Sequence, residues 1–264
     1  MVAVDRTEIN ADAATSDSHL DQSRVVVFTD LDDSILLTKS NLPQGAHYFL
    51  GASDQRGQPH SFFTASLRRL LQLFQDSNAI IIPATGRSTE ALNRVNYAFS
   101  SYCVVSHGAV VLNPDGHPCK KWLGEIESEL EHWPELLDHT NREINHIIST
   151  ENLDARSRVI VDQNIPAYVS IKGQPSALEH IRLRNTLDPH FFRHENGRNH
   201  ALLPPYTRKR RAIHYIQRKL KLSANDLAIG IGDSLSDLEF LQACQFAMIP
   251  KNSQIMGEHL LTEA

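Results

Sequence analysis

Arg24-Val25-Val26-Val27-Phe28-Thr29-Asp30-Leu31-Asp32-Asp33-Ser34 decides the fold. Its first six residues form a short apolar, β-branched run, the composition of a fully buried strand, and the run stops at a cluster of acids. Downstream, Phe63, Leu67, Leu70, Leu71 and Phe74 recur at helical spacing and predict a helix over 62–75. Ala79-Ile80-Ile81-Ile82 reads as a second buried strand, residues 89–99 as another helix, and Tyr102-Cys103-Val104-Val105 as a third strand. Strand, helix, strand, helix is the rhythm of a parallel sheet wrapped by helices.

From Asn113 the rhythm changes. Turn residues Asn113-Pro114-Asp115-Gly116 lead into an acidic helical stretch over 125–152, broken at Pro134. Strands at 158–161 and 168–172, a helix over 176–187, and a hairpin turning at Asn196-Gly197 complete an α+β block. The first rhythm returns after Pro204-Pro205, with a helix from Thr207, a strand at 227–231, a helix from Ser236 and a strand at 246–249. The expected architecture is therefore α/β: a doubly wound, mainly parallel, Rossmann-like core over 24–112 and 204–264, with an α+β module inserted at 113–203. Residues 1–23, rich in Ala, Asp, Ser and Thr, read as a disordered leader.

Bulk properties narrow the function. The chain has 264 residues, with 41% hydrophobic and 22% charged, enough apolar material for a sizeable core. A net charge of -5 argues against nucleic-acid binding, which rests on clustered Lys and Arg. No apolar run is long enough to span a bilayer, so no membrane partner is expected. Three widely spaced cysteines give no disulfide or zinc pattern, and with a leader too acidic for a transit peptide they predict a cytoplasmic protein.

Open parallel sheets carry their working residues at the carboxyl ends of strands. There the first strand ends in Asp30-Leu31-Asp32-Asp33-Ser34, the second in Thr85-Gly86-Arg87, and the strand at 227–231 in Gly232-Asp233-Ser234-Leu235-Ser236-Asp237. Lys209 opens the helix before that last strand. Each alone is ordinary turn and cap chemistry. Together they crowd carboxylates onto one edge, an arrangement unfavourable unless a cation sits among them, and oxygen ligands suit Mg²⁺.

The order DxDxS, TGR, lysine, GDSxxD resembles the four signature motifs of haloacid dehalogenase phosphatases, and the insert resembles the cap of the subgroup acting on sucrose phosphate and mannosylphosphoglycerate. The resemblance implies a phosphohydrolase acting on a phosphorylated small molecule, a sugar phosphate or glycosyl phosphoglycerate. Asp30 would be the nucleophile and Asp32 the general acid and base. Mg²⁺ would be held by Asp30, the Asp32 carbonyl and Asp233, with Asp237 and Ser34 in support. Thr85, Gly86, Arg87 and Lys209 would grip the phosphoryl group. A sugar phosphomutase and a non-catalytic phosphate-ester-binding regulator are the alternatives.

Lys209 sits in Arg208-Lys209-Arg210-Arg211, where positive charge opposes the helix dipole and an anion would relieve the conflict. The family pattern places glycine at Arg210 and Asp33, and asparagine at Ser236 and His107. In the module's hairpin, Arg193, His194, Arg198 and His200 are expected to select the substrate, the alternative being an exposed polar hairpin. Asn252 is placed either at the rim of the site or, with Ser253, at a helix N-cap.

Overall fold

Val26, Val27 and Phe28 expose none of their surface, because β1 (Val25–Thr29) is a central strand. Burial of such side chains contributes about 1.5–3 kcal/mol each. The structure, a computed structural model, describes residues 23–184 and 190–261. The leader expected over 1–23, all but its last residue, lies outside the described residues, as do 185–187 of the helix expected over 176–187.

After β1 the chain builds a small antiparallel sheet from β2 (Leu37–Thr38), β3 (Tyr48–Ser53) and β4 (Pro59–Thr64). Its hairpin turns on Asp54, whose Oδ1 accepts from the backbone N–H groups of Arg56 and Gln58, with Gly57 at φ +76°. Helix α1 (Ala65–Asp76) therefore begins three residues later than its periodicity predicts. Phe62 pairs with Leu37 in the sheet, and Thr64 caps the helix by accepting from the Leu67 N–H at 3.2 Å. Phe63 satisfies helical and strand spacing equally, which is why the period alone misplaced this boundary.

Strand β5 (Ile80–Pro83) follows, then α2 (Thr89–Leu92), β6 (Cys103–Val105) and β7 (Val110–Leu112). The helix expected over 89–99 stops at Leu92. The Ser53 N–H donates to the Arg94 carbonyl at 3.2 Å and the Asn96 N–H to the Gly51 carbonyl at 2.7 Å, so pairing with β3 claims that backbone.

The insert contains α3 (Lys120–Leu130) and α4 (Trp133–Thr150), with Pro134 in the first turn of α4. Then come β8 (Ala155–Asp162), β9 (Ile165–Gly173), α5 (Pro175–Arg184), β10 (Phe192–Asn196) and β11 (Asn199–Leu203). The strands form an antiparallel sheet in the order β10-β11-β9-β8. Leu137 and Ile144 of α4, Leu178 and Ile181 of α5, and Val169, Ile171 and Leu202 of the sheet make its own apolar cluster. Trp122 and Ile126 of α3 pack instead in the larger cluster, with Tyr215 and Ile216.

The chain returns through α6 (Lys209–Leu220), β12 (Leu227–Ile231), α7 (Leu238–Leu241), β13 (Phe246–Met248) and α8 (Gln254–Leu261). The core sheet has the parallel order β13-β12-β1-β5, and an Ala84–Val104 bridge extends it to β6. The architecture is thus a doubly wound parallel core with an inserted α+β module. Among the described residues no helix is long and apolar enough to cross a membrane.

Arg24 and Asp226 lock the starts of β1 and β12. Arg24 Nε reaches Asp226 Oδ1 and Nη2 reaches Oδ2, both at 2.9 Å, and the Ser223 N–H adds a bond to Oδ2 at 2.7 Å. These donors, Arg24 foremost, hold the Asp226 carboxyl well below the usual carboxylate range. A depressed pKa stabilises the fold in full above the unfolded value of about 4, and the contribution is lost as pH falls toward the folded value. Asp226→Asn is expected to cost about 1.5–3 kcal/mol at pH 7, typical of hydrogen bonds to a charged group. In urea unfolding the gap between wild type and variant should close as the pH is lowered below 4.

Candidate active site

β1 and β12 end side by side, which brings Asp30 and Asp233 to one edge; the Asp30 N–H donates to the Ile231 carbonyl at 2.7 Å. Carboxylate oxygens of Asp30, Asp233 and Asp237 all lie within 4.8 Å of one another, and all three residues are buried. Lys209, at the start of α6, places Nζ 2.6 Å from both Asp30 Oδ1 and Asp237 Oδ1. Its neighbours turn elsewhere: Arg210 donates to His214, and Arg211 pairs with Glu129. Asp237 Oδ2 is committed to its own loop, accepting from the N–H groups of Asp233 and Ser234 and from Ser234 Oγ. Ser34 Oγ donates to Asp233 Oδ1 at 3.1 Å.

Three buried carboxylates around one ammonium leave negative charge uncompensated. Burial and the carboxylates of Asp237 and Asp233 push Asp30 up, with Lys209 pulling the other way. Burial, then Asp237, pushes Asp233 up to about 7. Burial works to lower the pKa of Lys209, yet Asp237 and Asp30 raise it above the ordinary lysine value. An all-oxygen donor set strained by mutual repulsion fits a hard divalent cation such as Mg²⁺.

Asp32 points differently from Asp30. Its carboxylate is about half exposed and is gripped by Arg87, Nε to Oδ2 at 2.8 Å and Nη2 to Oδ1 at 2.6 Å. Asp33 takes φ +59°, a left-handed conformation that glycine adopts more readily than other residues. Thr85 is buried, and its Oγ1 accepts from the Arg87 N–H at 3.1 Å.

Gly86 is fixed by contact: a Cβ there would lie 2.5 Å from the His107 ring. His107 is held beneath it at φ +56° and packs edge-on against Tyr168, whose hydroxyl donates to the Gly86 carbonyl at 3.3 Å. Burial, then His194 and Lys209, depresses the His107 pKa far below the ordinary histidine value. His194 lies against the same ring, its own pKa lowered to about 4 by burial and then Lys209. His194 Nδ1 is 2.9 Å from Ser236 Oγ, which is 2.9 Å from Ser234 Oγ, so hydrogen bonds run from the inserted sheet to Asp237. Two neutral imidazoles beside Lys209 avoid adding positive charge there.

A cavity of about 790 Å³ joins the two layers, within the range of small-molecule sites. Asp30, Asp32, Thr85, Gly86, Arg87, Lys209 and Asp233 line its floor. From the hairpin it receives His194, Asn196 and Asn199, while His200, paired across the strands with Glu195, borders it from the other face of the sheet. Arg193, expected with them, lies on the opposite face with Ile181 and Leu202, because side chains alternate along a strand. Arg198 donates to the Gly173 carbonyl at 3.3 Å and sits at the outer edge, off the main cavity. Asn252 is exposed and does not line the cavity; Ser253 caps α8 by accepting from the Met256 N–H at 3.1 Å.

Sequence reasoning missed Arg156, Arg158, Tyr168, Ser170 and Lys172, which line the roof from β8 and β9. Their period-two spacing was the available signal. It also missed Ser53, Asp54 and His60 of the small antiparallel sheet, which form one wall.

No protein-family model and no curated protein matches the chain. Solved structures do. Sucrose-phosphatase from Synechocystis, in complex with sucrose and phosphate, is 18% identical with a TM-score of 0.51, over 91% of this chain and 88% of that one. The C-terminal domain of trehalose-6-phosphate phosphatase from C. albicans is 14% identical with a TM-score of 0.53, over 86% of this chain and 75% of that one. A Thermoplasma acidophilum protein is 12% identical with a TM-score of 0.51, over 89% of each chain. The chain has the fold of these solved structures, a doubly wound parallel core with an inserted α+β module.

Proposed function

We propose that the chain is a Mg²⁺-dependent phosphohydrolase that acts on a phosphorylated small molecule, a sugar phosphate or glycosyl phosphoglycerate, through an aspartyl phosphate on Asp30. The observation that carries the reading is Lys209 Nζ bonded to both Asp30 and Asp237 beside Asp233, under a cavity large enough for a sugar ester. The segment over 113–203 serves as the cap that closes the site from water.

Asp30 Oδ attacks phosphorus, the ester oxygen leaves, and water then cleaves the acyl phosphate, so one hard displacement becomes two easier ones. Asp30, Asp233 and the Asp32 carbonyl would hold Mg²⁺, with Asp237 in support; the ion supplies charge neutralisation and alignment. Lys209, Thr85 and the Gly86-Arg87 backbone take the phosphoryl oxygens. Asp32 is the acid toward the leaving alcohol and the base toward water. Its pairing with Arg87 holds it in reserve, and an arriving phosphate competes for the same guanidinium and frees it.

The test is phosphate release from a panel of phosphorylated sugars and glycerates, with Mg²⁺ and with chelator. Release only with Mg²⁺ is expected; return of the phosphoryl group to the sugar would instead mark a mutase. Asp32→Ala should slow hydrolysis of an alkyl phosphate by roughly 10²–10⁴-fold, and the phosphoryl-transfer burst from an aryl phosphate much less. Equal slowing of both would move the acid role elsewhere.

A further inference from the structure

The cavity roof carries cations that the proposed chemistry does not use. On β8 and β9, Arg156 pairs across the strands with Lys172, and Arg158 with Ser170. Alternation therefore puts Arg156, Arg158 and Lys172 on one face, the face that lines the cavity. Like charges opposite one another weaken a sheet.

The cavity's other cations are all neutralised: Arg87 by Asp32, Arg94 by Glu90, Lys209 by Asp30 and Asp237. Among the described residues, Arg156, Arg158 and Lys172 have neither an ion-pair nor a hydrogen-bond partner for their side chains. Burial, then Arg156 and Arg158, lowers the Lys172 pKa, while Asp32 on the floor raises it. Three convergent, unmatched cations facing the phosphoryl site form a place for a second negative group.

We propose that Arg156, Arg158 and Lys172 form a second anion subsite, and that the substrate is a phosphate ester whose body carries a further carboxylate or phosphate. This rests on the phosphatase reading for the first anion only. The bound molecule spans the cavity, its scissile phosphate on Lys209 and its second anion on the roof. Arginine pairs suit either oxyanion through bidentate hydrogen bonds. A neutral sugar phosphate leaves the three cations repelling one another.

The test is calorimetric binding to the Asp30→Asn protein of glucose 6-phosphate, glucose 1,6-bisphosphate and 6-phosphogluconate. At least one doubly anionic ligand should bind about tenfold or more tightly than glucose 6-phosphate, a difference of about 1.4 kcal/mol. The bisphosphate and the carboxylate arms tell the two anions apart. Adding Arg158→Gln or Lys172→Gln should erase the preference, whereas Arg142→Gln, on the exposed side of α4, should keep it. Equal affinity for all three ligands, or a preference that survives both roof substitutions, would overturn the subsite. Turnover of p-nitrophenyl phosphate by the wild type tests the phosphatase reading separately. Absent turnover with the binding preference intact would sink that reading and support the subsite.

Discussion

Asp30→Asn is expected to lower phosphate release by about 10⁴-fold or more, the scale of loss when a covalent nucleophile is removed. Asparagine keeps the shape and the neighbours, so the variant should fold and should still bind phosphate esters. A denatured-gel assay for acid-stable label after brief exposure to a ³²P-labelled substrate should mark the wild type and leave Asp30→Asn blank. Rapid release by the variant would remove Asp30 from the chemistry.

Lys209→Ala should produce two large effects. Phosphate release should fall by about 10²–10³-fold, the range found when a preorganised donor to developing charge is removed. The fold should also weaken by about 3–5 kcal/mol, because Asp30 and Asp237 are left buried without their shared cation. A cation in the site would replace part of that charge, so Mg²⁺ should raise the melting temperature of Lys209→Ala more than that of the wild type. Arg210→Ala and Arg211→Ala should change release little, since those side chains point toward His214 and Glu129. Comparable losses at all three positions would mean a diffuse electrostatic role for the run.

What was legible in the sequence follows from where the information lies. Asp30, Thr85 and Asp233 follow contiguous strand runs, and a parallel sheet gathers such ends at one edge whatever the loops do, while Lys209 opens the helix α6. The roof was legible only in part, because period-two spacing shows which residues of one strand share a face but not which residues they meet across the sheet. Arg156 meets Lys172 only through the register of an antiparallel pair that shifts between Ile160 and Val161. His107, Gly86 and His194 come from separate segments, and only their packing shows why a histidine serves beside that glycine. The small sheet ahead of α1 could have been read, since Asp54 and Gly57 bound a turn between alternating runs. Helical spacing through Phe63 obscured it.

The inserted sheet divides its residues by parity. Val169, Ile171 and Leu202 face α4 and α5, while Tyr168, Ser170, Lys172 and Ala201 face the cavity. Packing and ligand contact therefore fall on alternate positions of the same strands, so a substitution can bear on one and spare the other. The cavity-facing set can be changed to suit a different ligand while the packed set holds the inserted module together.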